Sequence, residues 1–496
     1  MLHELAEYTK KNNLVSMPGF KSKKIKWVIV LSDKGEFIGI EETQRDFPCC
    51  PVLEQRELIG GSETRSHFLA DSCEIVLSIV DEKDKASFKH NKTIVSKHDY
   101  FKKLLSDAGK HESMLELCRK ALEDPGVLAR IQEYIKNVKA KPSDNISFRV
   151  GNVYLVDLNT WHEWWQAFRR SINFKKVDMS GSMICILDGE PVTPVHSHSK
   201  ITGLNIVGGQ STGTVLIGFD KDAFQSFGLE QSQNAACSEN AVALYRAALD
   251  ELVKKAPRPL AGALYLHWYK EAIPVECDLL MGFNTDEDEI SVRNALSNAT
   301  KLINAAREGV RPSVLNNRYY ILVLSGAGGR IMVRDWMQGN YSELVANVQQ
   351  WFDDLSIISE SGRGRIGYAK LWAYLVRLVA FRKGEKIKDL SERIDKELAP
   401  LMPHIWHSII NGLPLPDTVA ARSLAYIRSE MLSNSGEEDS GHKGGNIDSL
   451  VCSLLKAWYI RKQRAKGGIE NMGEEVNLNH SSTAYHAGRM MAVLAE

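Results

Sequence analysis

Trp161, Trp164, Trp165 and Phe168 recur at i, i+3, i+4 and i+7, which puts four large rings on one face of a helix. A face that apolar must be covered. The segment therefore predicts a packed core stripe rather than a base-stacking platform, because stacking rings need not keep helical register. Asn159 is placed to cap this helix. Just before it, 146–150 and 153–157 flank Gly151-Asn152, a pair suited to positive φ, and predict a tight hairpin. A second hairpin is predicted from 26–32 and 36–41 around Asp33-Lys34-Gly35. Leu2, Leu5, Ala6 and Thr9 mark an opening helix, and 82–145 reads as polar and helical.

The middle of the chain is richer in strands, expected at 183–187, 214–219, 262–268, 319–325 and 330–336, with a helix over 239–255 after a Ser238 cap. From 343 onward the pattern is almost wholly helical; Leu344, Val345, Val348, Trp351, Phe352 and Leu355 keep helical spacing. The expected fold class is α+β: a mixed α/β N-terminal and central region with β-hairpins, then a helical C-terminal region. Its expected divisions are 1–175, 176–342 and 343–496. The Gly/Ser/acid-rich stretch 433–446 reads as a linker or mobile loop. Residues 482–496 read as a helix without a Gly cap or Pro stop, from which a longer natural product, or a tail made separately, is expected.

No stretch reaches the ~18 consecutive apolar residues of a membrane span, and the first residues carry no basic-then-apolar signal pattern. Eight cysteines without a CxxC pair read as reduced thiols, so a cytoplasmic protein with no membrane partner is expected. Lys+Arg and Asp+Glu are equal at 62 each, which argues mildly against a protein that coats nucleic acid. The charges are segregated, however. Residues 363–388 hold eight Lys/Arg against Glu385 alone, 456–466 hold five with no acid, and 276–289 hold six acids with no base. One face on nucleic acid and others elsewhere would suit that distribution.

Chemistry-bearing motifs are sparse. His196-Ser197-His198 is an HxH pair of the kind that binds Zn²⁺ or a nuclease metal, yet no HExxH, His-Asp doublet or Cys/His cluster accompanies it. It reads as a polar loop. Gly208-Gly209-Gln210-Ser211-Thr212-Gly213 matches neither a dinucleotide nor a P-loop fingerprint. It is a tight turn, or a nucleic-acid surface on which backbone N–H groups approach phosphates. No GxSxG elbow anchors a triad, and Asp353-Asp354 and Glu287-Asp288-Glu289 have no matched partner, so neither catalysis nor a cofactor is expected. In 366–383, read as one helix, Leu371, Trp372, Leu375, Leu378 and Val379 form the buried stripe. Lys370, Tyr374, Arg377 and Phe381 fall on another face, a basic–aromatic stripe suited to single-strand or heteroduplex backbone, or simply a solvated face. Lys21, Lys23, Lys24 and Lys26 either grip phosphate or keep an edge strand soluble.

Several segments together resemble the large-subunit family of type I-C CRISPR effector complexes. They are Met1-Leu2-His3-Glu4-Leu5 with Pro18-Gly19-Phe20 and Lys26-Trp27-Val28-Ile29, then Arg65-Ser66-His67-Phe68-Leu69-Ala70-Asp71-Ser72. A central block follows, from Lys200 through the Gly-rich loop to Phe224-Gln225-Ser226-Phe227-Gly228, Glu230-Gln231 and Asn234-Ala235. Arg330-Ile331-Met332-Val333-Arg334-Asp335-Trp336 with Leu344 to Leu355 is the most specific match, and Ala484-Tyr485 with Gly488-Arg489 is similar to the family's last helix. The resemblance runs in order along the whole chain. It departs at Ser72, where members more often carry Asn, and in lacking the helical tail that doubles as the small subunit.

The resemblance implies a non-catalytic subunit that finds the short motif beside the target (the PAM), helps open the duplex and receives a separate helicase–nuclease. Guide pairing would supply most of the sequence specificity. Its implied partners are CRISPR RNA, the backbone and cap subunits, target double-stranded DNA, the small subunit and the helicase–nuclease. On this view Gln210, Ser211, Gln231 and Asn234 are candidates for base-edge or sugar contacts near the PAM, with Ser72 at the position of the lost amide. Arg65 and Lys200 are candidates for phosphate anchoring. Lys24, Lys370, Arg377, Arg461 and Arg464 are candidates for nucleic-acid backbone. Arg334 and Asp335 read as a structural pair. Two rivals make different predictions: a metal-dependent nuclease using His196 and His198, and a purely structural scaffold binding protein neighbours and guide RNA.

Overall fold

The computed structural model describes all residues except 16, 44, 55–56, 59–63, 81–87, 174–182, 285–288, 309–311, 359–364, 367–369, 381, 383, 435–447, 469–476 and 496. Phe381, the linker stretch 435–446 and the acids 287–288 lie outside the described residues. The α+β expectation holds, with small sheets and a helical C-terminal region. The chain divides into two compact units: Met1–Ile201 with Val215–Glu251, and Thr202–Thr214 with Leu252–Glu496.

In the first unit the alternation of 26–32 and 36–41 resolves into antiparallel strands Trp27–Leu31 and Phe37–Glu42. Trp27–Leu31 is buried along its whole length because it also pairs in parallel with Asn145–Val150, whose hairpin mate is Val153–Tyr154. The segment 82–145 provides helices Phe88–Ala108, Ser113–Glu123 and Pro125–Asn137. Asp124 caps the last of these by accepting from the N–H groups of Gly126 and Val127, with Pro125 at its first turn. The aromatic helix runs His162–Asn173. Trp161 and Trp165 are fully buried against Phe68 and Phe20, and Trp164 and Phe168 pack on their edge. The stripe is core, as its register predicts.

Residues 215–251 are tied to this body by buried and partly buried polar bonds. Thr9 Oγ1 donates to the Leu244 carbonyl at 2.7 Å, Arg246 Nη2 donates to the Phe20 carbonyl at 2.6 Å, and Arg169 joins Glu57 at 2.8 Å to Glu239 at 2.7 Å. The sequence 214–219, expected as a strand, contributes only isolated bridges at Thr214 and Val215. The apolar run Val215-Leu216-Ile217 finds no extended strand partner among the described residues.

In the second unit, strands Leu264–Tyr269, Arg318–Ala327 and Arg330–Asn340 form an antiparallel sheet in that order. Helices Tyr341–Leu355, Met402–Asn411 and Ser449–Ala465 share one apolar core with it. The helix expected over 366–383 is only Leu371–Val376. Trp372, expected inside, is 40% exposed, whereas Tyr374, expected on the polar face, is 2% exposed. A helix of under two turns, followed by the turn bonds of Arg377 and Leu378, does not sustain a stripe of four residues. All eight cysteines are free.

Candidate nucleic-acid interface

In the first unit the run Phe224-Gln225-Ser226-Phe227-Gly228 folds into a tight turn with a ring at its tip. Ser226 bridges Leu229, and Phe227 and Gly228 take φ of +52° and +71°. Two consecutive positive φ values define a hairpin turn of the kind Gly and Asn usually fill, and a phenylalanine there is uncommon. Phe227 is 98% exposed. Asn234 holds the turn in place. Its Oδ1 accepts from the Ser226 N–H (3.2 Å) and Oγ (3.1 Å), while its Nδ2 donates to the carbonyls of Leu229 and Gln231 (both 3.0 Å). An asparagine amide has two donors and two acceptor sites, and all are used here. Asn234 therefore positions the turn rather than offering an amide to a base edge. Gln231, at φ +49°, is exposed beside it at the start of the short helix Gln231–Asn234, which a Glu230/Gln233 capping box closes.

That helix leans on the HxH segment through Ser232 N–H to the His196 carbonyl at 3.0 Å. His198 is 3% exposed, with Nδ1 2.6 Å from the Tyr245 hydroxyl. Burial lowers its pKa to about 4. Among the described residues no group of three His, Cys, Asp or Glu is placed to hold a metal ion. His198 belongs to the packing of this unit. Burial likewise lowers His67 to about 3 and moves His98 down. These folded-state values lie below the unfolded one, so the unfolded chain binds more protons between about pH 6.5 and the folded values. Stability from these groups is fully present above pH 6.5 and falls as the pH drops toward 4. Urea unfolding at pH 7.5 and 5 is expected to show a lower midpoint at pH 5, and His198→Phe is expected to shrink the difference.

Arg65 lies in the segment that leads into strand Asp71–Ser72, and Ser72 lies in the strand itself. Asp71 builds that segment by accepting from the His67 and Ser72 N–H groups, both at 2.8 Å, with Leu69 at φ +56°. Ser72 pairs in register with Asn145, whose Nδ2 donates to the Lys24 carbonyl at 3.0 Å, so Ser72 and Lys24 flank one residue. Lys24 is exposed, and the Ser72 Oγ is buried without a hydrogen-bond partner among the described residues. Arg65 donates from Nη1 to the Glu57 carbonyl at 2.7 Å. Lys200 is half-buried near the end of the HxH loop.

In the second unit the Gly-rich loop docks backbone to backbone on the tip of the long hairpin. Gly209 bridges Gly328, and a Cβ at Gly326 would collide with the Gly209 backbone. Gly208 and Gly213 sit at φ +90° and +96°, and the Gly213 N–H closes a turn on the Gln210 carbonyl at 3.0 Å. Gln210, Ser211 and Thr212 are all exposed at the apex, with the Gln210 amide beside Gly329. The hairpin tip is a part of this platform that the sequence motif alone does not point to.

The other basic candidates of this unit differ sharply in environment. Lys370 is exposed at the N-cap of the short helix. Arg377 donates to Asp448 Oδ2 from Nε at 2.9 Å and Nη2 at 2.7 Å. Arg461 is 2% exposed: its Nε donates to Asp354 at 2.7 Å, its Nη1 donates to the Ser408 carbonyl, and the group lies 5.1 Å over the Trp351 ring. Burial pushes its pKa below the usual guanidinium value. Arg464 completes the clamp on Asp354 at 2.8 and 3.0 Å, and that bond raises its pKa. Arg461 is thus committed to the core, and Arg464 is half-exposed at its rim. Asp335 pairs with His407 at 3.0 Å, whereas Arg334 donates to Ser325 Oγ at 2.7 Å, so the two serve the fold without pairing with each other.

The first unit presents a turn with an exposed ring, the second a Gly-rich loop seated on a hairpin tip, and each carries surface cations. The family model of CRISPR-associated protein (Cas_Csd1) matches residues 2–496. The chain belongs to this family of CRISPR-associated proteins, whose members are subunits of Cascade complexes. No curated protein matches the chain. Among the described residues no helix is long and apolar enough to cross a membrane.

Proposed function

We propose that this chain is the non-catalytic large subunit of a type I-C guide-RNA surveillance complex, which recognises the PAM of target double-stranded DNA and promotes R-loop formation. The helicase–nuclease then docks on it, beside the small subunit and the guide-RNA-bound backbone subunits. The observation that carries the reading is the Asn234-braced turn presenting Phe227 almost completely to solvent. An apolar ring on a rigid turn suits insertion between base steps, where it exchanges lost stacking for its own. Gln210, Ser211 and Gln231, exposed on pre-formed loops, are the base-edge and sugar candidates, and Arg65, Lys24, Lys200 and Lys370 the phosphate candidates. Sequence readout beyond the flank stays with guide pairing.

The test is omission. The guide-RNA complex assembled with and without this subunit is titrated against the target duplex and against the same target as a single strand. The reading expects duplex binding to collapse without the subunit while single-strand binding persists. Equal duplex binding in both assemblies would favour a structural scaffold and sink the proposal.

A further inference from the structure

We infer that Cys185 and Cys237 form an oxidisable dithiol, a modification site for small hydroperoxides whose disulfide closes the base of the chain between them. The inference goes beyond the reading above and does not depend on it. Both residues lie in the first unit and are almost fully buried, at 2% and 0% exposed. The backbone brings their segments together. The Ile186 N–H donates to the Ala236 carbonyl at 2.9 Å, one residue from each cysteine. The Cys185 N–H donates to the Glu190 carbonyl at 2.9 Å, and the Val195 N–H to the Cys237 carbonyl at 3.0 Å, so both cysteines sit on pinned main chain.

The side chains meet as well. The Cys237 thiol shares a hydrogen bond with that of Cys185, and the Cys185 S–H donates to the Asp188 carboxylate. Asp188 is exposed in the turn that follows, where the Gly189 N–H closes on the Cys185 carbonyl at 3.0 Å. The three groups thus run from a buried thiol to the surface. Burial and the neighbouring Cys185 push the Cys237 thiol up to about 12, and the bond from Cys185 holds the Asp188 carboxyl below its usual range. Cys49 and Cys50 differ: as neighbours in strand Asp46–Pro51 they point to opposite faces.

The chemistry balances with a hydroperoxide as oxidant. Cys185 loses its proton along the bond to Asp188 and on to water, and its sulfur attacks a peroxide oxygen. The O–O bond breaks, leaving a sulfenic acid on Cys185 and an alkoxide or hydroxide that takes up a proton. The Cys237 sulfur then attacks the Cys185 sulfur, the S–O bond breaks, and the hydroxide leaves as water with the Cys237 proton. Two thiols lose two electrons and the peroxide gains them. The Cys237 thiol is protonated at neutral pH, so closure is slow and quickens as the pH rises. Closing a loop of about 50 residues shifts a folding equilibrium by up to roughly a thousandfold on chain-entropy grounds. That loop carries Gln210, Ser211, Phe227 and Gln231.

The test treats the folded full chain with hydrogen peroxide at pH 8.5, alkylates the remaining thiols and maps disulfides by mass spectrometry of the digest. A peptide linking Cys185 to Cys237 is expected as the main product, reversed by dithiothreitol. The oxidised chain is expected to exchange backbone hydrogens across 183–192 and 235–240 more slowly than the reduced chain, by roughly tenfold or more. In C237A the sulfenic acid on Cys185 has lost the thiol that resolves it, and its labelling by dimedone is expected to rise above that of the wild type. The wild-type digest decides the matter even where C237A folds poorly. No Cys185–Cys237 peptide from the native chain would overturn the inference, as would one that forms only in urea. A Cys49–Cys50 link in equal yield would mark the oxidation as unselective and overturn it too.

Discussion

Phe227→Ala is expected to cut opening of the target duplex by roughly 5- to 150-fold, with little change in the stability of the chain. The magnitude follows from stacking: an aromatic side chain against a base contributes about 1–3 kcal/mol by alanine substitution. The side chain is 98% exposed, so its removal takes nothing from the core and should shift unfolding by no more than about 0.5 kcal/mol. Two further substitutions separate the ring from the turn. Phe227→Asn keeps a residue that tolerates positive φ and removes the ring, so it should behave like alanine. Asn234→Ala keeps the ring and removes all four braces, so it should impair opening less and raise hydrogen exchange across 226–231. Fluorescence of 2-aminopurine placed next to the flanking motif reads opening directly. Wild-type signal from Phe227→Asn would contradict a role for the ring.

Asp354→Ala is expected to destabilise the second unit by about 3–5 kcal/mol, the largest stability effect anticipated for a single side chain here. Asp354 and Arg461 are each 2% exposed, and removing the carboxylate strands a guanidinium that also holds the Ser408 carbonyl and lies over Trp351. Arg461→Ala should cost a similar amount for the converse reason. Arg464→Ala should cost under about 1 kcal/mol, because its side chain is 45% exposed and Asp354 keeps its buried partner. Urea unfolding followed by tryptophan fluorescence distinguishes the three. Equal losses for Arg461→Ala and Arg464→Ala would mean that the buried bond is no stronger than the rim one.

Local features were legible in the chain where one period dominated. The tryptophan helix, the Gly151-Asn152 hairpin, the helix Glu239–Lys255 and the long antiparallel pair after residue 318 all follow from spacing and turn chemistry. Nonlocal pairing was not. Nothing in 26–32 announces a parallel partner at Asn145–Val150, and the uninterrupted burial of Trp27–Leu31 is understandable only once that partner is known. The failure at 366–383 has another cause. Its basic residues satisfied a helical template, but the helix ends after Val376, which reverses the expected placement of Trp372 and Tyr374.

Charge was a weaker guide than conformation for the site. Arg461 was one of several candidates for nucleic-acid backbone in a basic run, yet a buried acid in another helix holds it. Asn234 drew attention as an amide, and its amide is spent inside its own turn. The residue that stands out in the structure, Phe227, was visible in the sequence as an aromatic between Ser226 and Gly228. A hydrophobic ring at a turn position that favours Gly or Asn is the signal that would have found it.

The most direct test of the central claim is a binding competition across target duplexes with a randomised flanking trinucleotide, using guide-RNA complex with wild-type subunit, with the Gln210→Ala/Gln231→Ala variant, and without the subunit. The account predicts a clear flanking preference that needs the subunit and relaxes in the variant by about 1–3 kcal/mol per lost contact. A preference identical in all three assemblies, or none in any, would contradict it.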